Sequence, residues 1–334
     1  MSAGPARLVA AVAHQRHGLI GLAVTRVALG VVILLDLAIH VGDRQVLYGP
    51  DGWYGVDRME RDQQLGVSFF NLSSSAWATD VLYLAYAVVA ALFVAGWRTR
   101  AVTPLLLLLV WTFQERNPYL INGGDNLVRI ILFYLLFAQL DAYLSRGASA
   151  RRTRPRGEPT SAGIVANVVH NAALAACVGQ LCVLYLGSAL YKVQGEMWQE
   201  GTAVYYISRV AEYNAWPEVT FALAQSAIFV TVATYATVFL QLAFTFTLFT
   251  PWARHAVFAG LVGMHAGIGV LMGLPVFSLF MIAVDLLVFT DDEWRRGAAR
   301  VGRVADRLRG GALASWSRHL TPAPATPTPP GGVL

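Results

Sequence analysis

The sequence predicts an all-α polytopic membrane protein, a helical bundle of about eight transmembrane helices with both termini cytoplasmic. Three observations predict it. Of the 334 residues, 56% are hydrophobic and only 13% are charged, roughly half the charged share of a soluble domain. Apolar stretches of about 20 residues, enough to cross a bilayer as a helix, recur along the chain. Arginines collect in every second segment between them, the pattern that sets orientation in a membrane.

The expected spans are 18–40, 79–97, 101–120, 125–144, 162–191, 220–250, 254–273 and 275–290. The first is long and lacks a small-residue cleavage site, so it reads as a retained helix rather than a signal peptide. Arg7 and Arg16 precede it, and Arg98 and Arg100 fill the next inner turn. Arg146, Arg151, Arg152, Arg154 and Arg156 crowd the segment 145–161. With its Ser, Gly and Pro, that segment is read as a flexible linker between two four-helix halves. Arg254 follows the sixth span, and Arg295, Arg296, Arg300, Arg303, Arg307 and Arg309 follow the eighth. Segments 41–78, 115–124, 192–219 and 273–275 then face outward. Arg44, Arg58, Arg61, Arg116 and Arg209 run against the rule there. A transmembrane domain is expected over 1–292. A basic amphipathic cytoplasmic segment over 293–320 is expected to rest on anionic lipid, with a disordered tail over 321–334. Membrane lipids are the expected partners. The net charge of +5 serves topology, and no nucleic-acid partner is expected.

A charge inside a membrane helix costs roughly 2.5–3.5 kcal/mol on insertion scales, so each needs a partner or a purpose. Arg26 and Asp36 share the first span but lie about three turns apart, so each is expected to pair with another helix. Asp125 follows Asn122-Gly123-Gly124, where a helix begins and its dipole favours a carboxylate. Asp125 and Arg129 stand at i and i+4, spaced for a structural ion pair. His265 and Asp285 lie in the seventh and eighth spans. Gly260, Gly263, Gly267 and Gly269 surround His265 and are expected to let neighbouring helices pack closely. Cys177 and Cys182 are five apart, on different helix faces, and fit neither a CxxC motif nor a metal site. No metal is expected. Aromatic residues crowd the outer segments, among them Trp53, Tyr54, Phe69 and Phe70 beside Asp51, Asp57, Glu60 and Asp62. Trp198, Tyr205, Tyr206, Tyr213 and Trp216 follow in 192–219. They read as an interfacial belt or as the wall of a vestibule.

Lysine and arginine together number 25, and only one of them is lysine, Lys192. It closes the run Leu184-Tyr185-Leu186-Gly187-Ser188-Ala189-Leu190-Tyr191-Lys192. Arginine stays protonated in proteins, whereas a lysine can shed its proton and act as a base or nucleophile. The plain alternative is a snorkelling lysine at a helix end, held by Glu196 at i+4.

Several segments resemble the transmembrane half of vitamin K-dependent γ-carboxylase and its bacterial relatives, the horizontally transferred transmembrane (HTTM) family. They are Arg26-Val27-Ala28-Leu29-Gly30 with Leu35-Asp36-Leu37, and Arg116-Asn117-Pro118-Tyr119 through Asn122-Gly123-Gly124-Asp125-Asn126. Leu190-Tyr191-Lys192 with Gly195-Glu196-Met197-Trp198 and Glu200-Gly201 forms a third. His265 followed by Met272-Gly273-Leu274 and Phe277-Ser278 forms the fourth. Together they cover about residues 20 to 290. The resemblance implies a multi-pass protein of the bacterial cytoplasmic membrane. It implies a lyase-type enzyme using a reduced quinone of the menaquinone or vitamin K type with O2 and CO2. Lys192 would be the base that deprotonates the quinone, with Asp125, Asn126, Tyr191, Trp198 and His265 as substrate or quinone contacts. Independently of the resemblance, Arg129, Glu196, Arg26 and Asp36 are expected from their positions to form structural ion pairs. The carboxylase holds its protein substrate on a large extramembrane domain that is not expected here, which leaves the substrate open. A secreted peptide or protein is the class that bacterial relatives suggest. The alternative is a non-catalytic accessory membrane protein in maturation or export of a secreted peptide. A transporter is disfavoured, since no paired broken helices stand in matching halves.

Overall fold

The computed structural model describes residues 12–55, 58, 69–72, 75–146 and 160–309. The tail 321–334 and most of the linker 145–161 lie outside the described residues, as do Asp57, Glu60, Arg61 and Asp62. Every regular element among the described residues is helical. In chain order they are α1 (Leu19–His40), α2 (Arg44–Tyr48), α3 (Ala76–Ala95), α4 (Thr99–Arg116) and α5 (Gly123–Leu135). Then come α6 (Ser161–Lys192), α7 (Glu196–Gln199), α8 (Ala203–Ile207), α9 (Pro217–Ala224), α10 (Ala227–Thr247), α11 (Pro251–Leu271), α12 (Pro275–Asp285) and α13 (Asp291–Arg309).

Five of these, α1, α3, α6, α10 and α11, are long and apolar enough to cross a membrane. Three expected spans fall short of that. Charges at both ends of α4, Arg100, Glu115 and Arg116, dilute its apolar run. α5 stops at Leu135 after 13 residues, about 20 Å at 1.5 Å per residue, against a hydrocarbon core of about 30 Å. α12 runs 11 residues and ends in a 3-10 turn, Leu286–Val288. The expected 220–250 span is also divided. Pro217 opens α9, Gln225 closes it, and the Ser226 hydroxyl caps α10 by accepting from the Phe229 amide.

α1 packs on α3 and α12, and α5 on α4, α6 and α12; α10 bridges α6 and α11. One core joins the two halves, running from Leu29, Phe93, Leu106 and Ile131 through Leu181 and Tyr185 to Val284. Cys177 and Cys182 are free thiols packed in or against it, as the spacing suggests. α3 turns into α4 through Gly96, whose left-handed backbone (φ 66) returns its amide to Leu92 and Phe93. A glycine suits that closing position because it has no Cβ to clash.

At one end of the bundle the amides of Leu19 and Ile20 donate to the Asp291 carboxylate, which joins the start of α1 to the start of α13. Nearby, the Gln139 amide donates to His170 Nδ1, and Nε2 bonds to the His17 carbonyl. That fixes a neutral tautomer and makes His170 a brace.

The charges of the first half do not pair as expected. Arg26 reaches other elements, but its guanidinium donates to the carbonyls of Phe93, Val94, Leu140 and Leu144 rather than to a carboxylate side chain. Asp36 pairs within its own helix, with His40 one turn on at 3.2 Å. Arg129 turns to Glu115 of α4 at 3.3 Å and to Asn126, with Trp111 under its guanidinium. It does not bridge to Asp125, whose carboxylate is taken by the helix cap. Several arginines that defy the charge rule have structural work. Arg44 meets Asp80 at 2.7 Å, Arg58 lies over Trp53, and Arg209 over Phe221. Arg116, 1% exposed, donates to the carbonyls of Gly49 and Tyr54.

Candidate functional site: a cavity below Lys192

A cavity of about 700 Å³ lies between α6, α10 and α11 and is roofed by α8 and α9. Each helix turns one face to it. On α6 the face is Leu184, Tyr185, Ser188 and Lys192, spaced by turns of the helix. On α10 it is Phe229, Ala233, Ala236, Thr237, Leu240 and Gln241, and on α11 Gly263, Met264, Gly267, Ile268 and Leu271. Most of the lining is apolar, and the volume suits a small-molecule site.

Lys192 stands at the roofed end. Its ammonium curls back along α6 to donate to Ser188 Oγ at 2.6 Å and lies 5.3 Å from the Trp198 ring centroid. Among the described residues no carboxylate reaches it. The expected pair with Glu196 does not form, because α6 ends at Lys192 and Glu196 begins a new helix after the turn at Gly195. The i, i+4 rule applies only within a continuous helix. The Ser188 hydroxyl both donates and accepts, so it can hydrogen-bond the amine with or without its proton.

Deeper in the cavity wall is a cluster the sequence reading did not assemble. Tyr185 Oη donates to Asp285 Oδ2 at 2.8 Å and lies 3.1 Å from His265 Nε2. Tyr185 has one proton and gives it to Asp285, so His265 Nε2 is the donor to Oη. His265 Nδ1 is left as an acceptor, without a partner, as is Asp285 Oδ1. Asp285 is 0% and His265 2% exposed. The Phe244 ring packs on Tyr185 at 4.7 Å. Helix periodicity does mark Tyr185 as sharing the face of Ser188 and Lys192, the one signal in the sequence that pointed to it.

Of the expected contacts, Trp198 and His265 line the cavity with Lys192. Tyr191 does not: it is 81% exposed on the far face of α6, one residue and so about 100° round the helix from Lys192. Asp125 and Asn126 are not on the wall either, although Gly123 is. Asn122 Oδ1 accepts from the amides of Gly124 and Asp125, and Asp125 accepts from the Asn122 amide at 2.9 Å, a reciprocal capping box. The glycine pair does permit close approach: a Cβ on Gly124 would lie 3.3 Å from the Phe277 backbone. The glycines of α11 divide. Gly260 packs against Leu240, whereas a Cβ on Gly263 or Gly267 would meet nothing within 4 Å. All three border the cavity, but only Gly260 also meets a neighbouring helix. The outer aromatics divide too: Trp198 and Tyr213 line the cavity, while Tyr206 and Trp216 face outward.

Comparison with known proteins agrees with this architecture. The HTTM domain signature matches residues 17–294, most of the chain. A protein of Bacillus subtilis (strain 168) named "Uncharacterized protein YitO" is 29% identical over 205 residues, 60% of this chain, and the match spans 63% of that relative's length. No solved structure matches. The chain belongs to the HTTM domain family, as a multi-pass membrane protein related to γ-carboxylase.

Proposed function

We propose that the protein is a carboxylase-like membrane enzyme that binds a reduced quinone in the cavity, with Lys192 as the base. The observation that carries this reading is the position of the chain's lone lysine, on the wall of a cavity of about 700 Å³, its amine beside the Ser188 hydroxyl and carbonyl and the Trp198 ring and, among the described residues, no carboxylate. A quinone ring fits the residues present: apolar walls of leucine, alanine and glycine, Trp198 to stack, and few polar groups to orient it. When bound with oxygen, such a quinone supplies the strong base that abstracts a proton from the substrate.

The protein's own part is narrower. Lys192 Nζ takes a proton from a ligand hydroxyl, and Ser188 holds the amine in place. The roof of α8 and α9 limits water around it. The roof is tied to α10 through α8, where the Val204 amide donates to Thr234 Oγ1, and Tyr235 Oη of α10 donates to the Gln199 carbonyl at the end of α7.

The test is quinone-epoxide formation by purified protein given reduced menaquinone or vitamin K and oxygen. Wild type should form epoxide, and Lys192→Arg, which keeps the charge but not a releasable proton, should form none. If folded wild type forms no epoxide with quinone supplied, the enzymatic reading falls and the accessory role in maturation or export of a secreted peptide takes its place.

A further inference from the structure

α10 and α11 form a hairpin that is closed at one end and open at the other. Thr247 and Pro251 bound the connecting turn. Three turns into α11, at the edge of the cavity, Gly260 still packs directly on Leu240. One turn further, at Gly263, and again at Gly267, the space opposite is empty. The hairpin therefore splays as it leaves its turn, and the gap between its arms is the side of the cavity. Gly263 lies near the middle of α11, is exposed, and lines the cavity. α11 is the least buried of the five long helices, with 11% of its apolar window covered. A mid-helix opening on such a helix faces hydrocarbon, not water.

The floor of the cavity has a different character. Gln241 is 7% exposed and lines the cavity, yet its Oε1 has no hydrogen-bond partner. His265 Nδ1 has none either. Buried polar atoms are nearly always satisfied, so two orphan acceptors on one cavity wall point to a missing donor.

We propose that the cavity is filled from the side. A lipid-borne molecule passes between α10 and α11, leaves its hydrocarbon tail in the gap at Gly263 and Gly267, and rests a hydroxyl-bearing head on Gln241 and His265. That the head is a quinol rests on the function proposed above; the lateral opening and the tail do not.

Two measurements on the full-length protein in nanodiscs test this. In the first, a long-tailed and a tail-less reduced quinone are titrated without oxygen against wild type, Gly263→Leu, Gly267→Leu and Gln241→Leu. The leucines enter open space, so these variants should fold. The expected result is a tenfold or greater loss of affinity for the long-tailed form in both glycine variants, with the tail-less form changed less than twofold. Gln241→Leu should weaken both forms alike. Equal losses for the two forms in the glycine variants, or no losses, would overturn the tail site. In the second, nitroxides are placed at Gly263→Cys and Gly267→Cys after Cys177→Ala and Cys182→Ala. Collisions with oxygen should exceed those with a water-soluble nickel chelate, and the reverse order would overturn the lateral opening. Wild type that binds neither quinone, with oxygen-accessible nitroxides, would sink the quinone reading and leave the opening to another lipid.

Discussion

Arg26 and Gln241 are both polar side chains buried in apolar helices, and they stand in different company. Around α1, α3 and α4, Arg26 and Arg116 each thread a guanidinium into a set of backbone carbonyls left free at helix ends and turns. Arginine suits this because it offers five donors in a fixed fork and is weakly hydrated. In the region of α6, α10 and α11, by contrast, Gln241, His265 and Thr220 line a void with atoms that have no partner. The extremes of burial fall on either side: half of the α1 window is covered, against 11% for α11, while α3, α6 and α10 are alike at 28%. One region uses polar groups to lock helices together. The other holds them in reserve around a space. The first region has unpaired atoms too, at Thr25, Gln114 and Asn117, so what marks the site is orphan atoms that also border a cavity, since unsatisfied buried groups are the exception in folded proteins.

The comparison can be broken most severely at Arg26. Arg26→Met strips the donor from four carbonyls at once, and each orphaned group costs about 1–3 kcal/mol. A loss of about 3 kcal/mol or more is expected, read as a large fall in Tm in detergent or as failure to accumulate in the membrane. If Arg26→Met unfolded like wild type, the clasp would have no structural weight.

Tyr185→Phe should come next. It removes the donor from Asp285 and the acceptor from His265, for an expected loss of about 1–2 kcal/mol, since hydrogen bonds within membranes are weaker than their burial suggests. The double variant Tyr185→Phe with Asp285→Leu should be more stable than the sum of the single losses. With both partners removed no buried carboxyl is left unpaired, and only the His265 Nε2–H loses its acceptor. Strict additivity would dissolve the cluster into independent contacts.

Gln241→Leu sharpens the comparison from the other side. Its carbonyl oxygen is already unpaired, so stability should change by less than about 1 kcal/mol while ligand affinity falls. A drop in Tm as large as that for Arg26→Met would erase the distinction between the two regions.

The smallest effect is expected at the base of the bundle. Burial pushes the Glu293 carboxyl up, but hydrogen bonds from the Thr290 amide and hydroxyl and from Arg254 outweigh it and hold it below its usual range. A carboxylate depressed in this way adds stability above its unfolded value of about 4.3 and loses it as pH falls through the folded one. Thermal unfolding followed from pH 6 to pH 3 should therefore show a decline of about 1 kcal/mol or less that Glu293→Gln flattens.

Much of the bundle was legible in the chain. The apolar runs gave the long helices to within a few residues: 18–40 became Leu19–His40, and 162–191 became Ser161–Lys192. Asn122 to Asp125 announced a helix start, and a capping box stands there. The shorter spans were less legible because hydropathy does not register backbone breaks. Ser226 and Gln225 interrupt 220–250 through a cap, and α5 ends at Leu135 although apolar residues continue beyond it. Within the site, Lys192, Trp198 and His265 were readable as unusual residues in unusual places. The pairing of Tyr185 with Asp285, 100 residues away, was not, since sequence periodicity orders one helix and says nothing of which helix faces it.

The sequence by itself determined that this chain lives in a membrane, where its principal helices run, and that it keeps one releasable amine. These are local properties, fixed by residue type and by the period of the helix. Tertiary structure alone decided that Arg26 would find carbonyls and Asp36 its own histidine, and that Tyr191 would face away. It also decided that Gly260 would pack on Leu240 while Gly263 and Gly267 face open space. Those outcomes depend on the rotation of each helix about its axis and on the angle between neighbours. Packing over the whole bundle sets both, and no single segment encodes either.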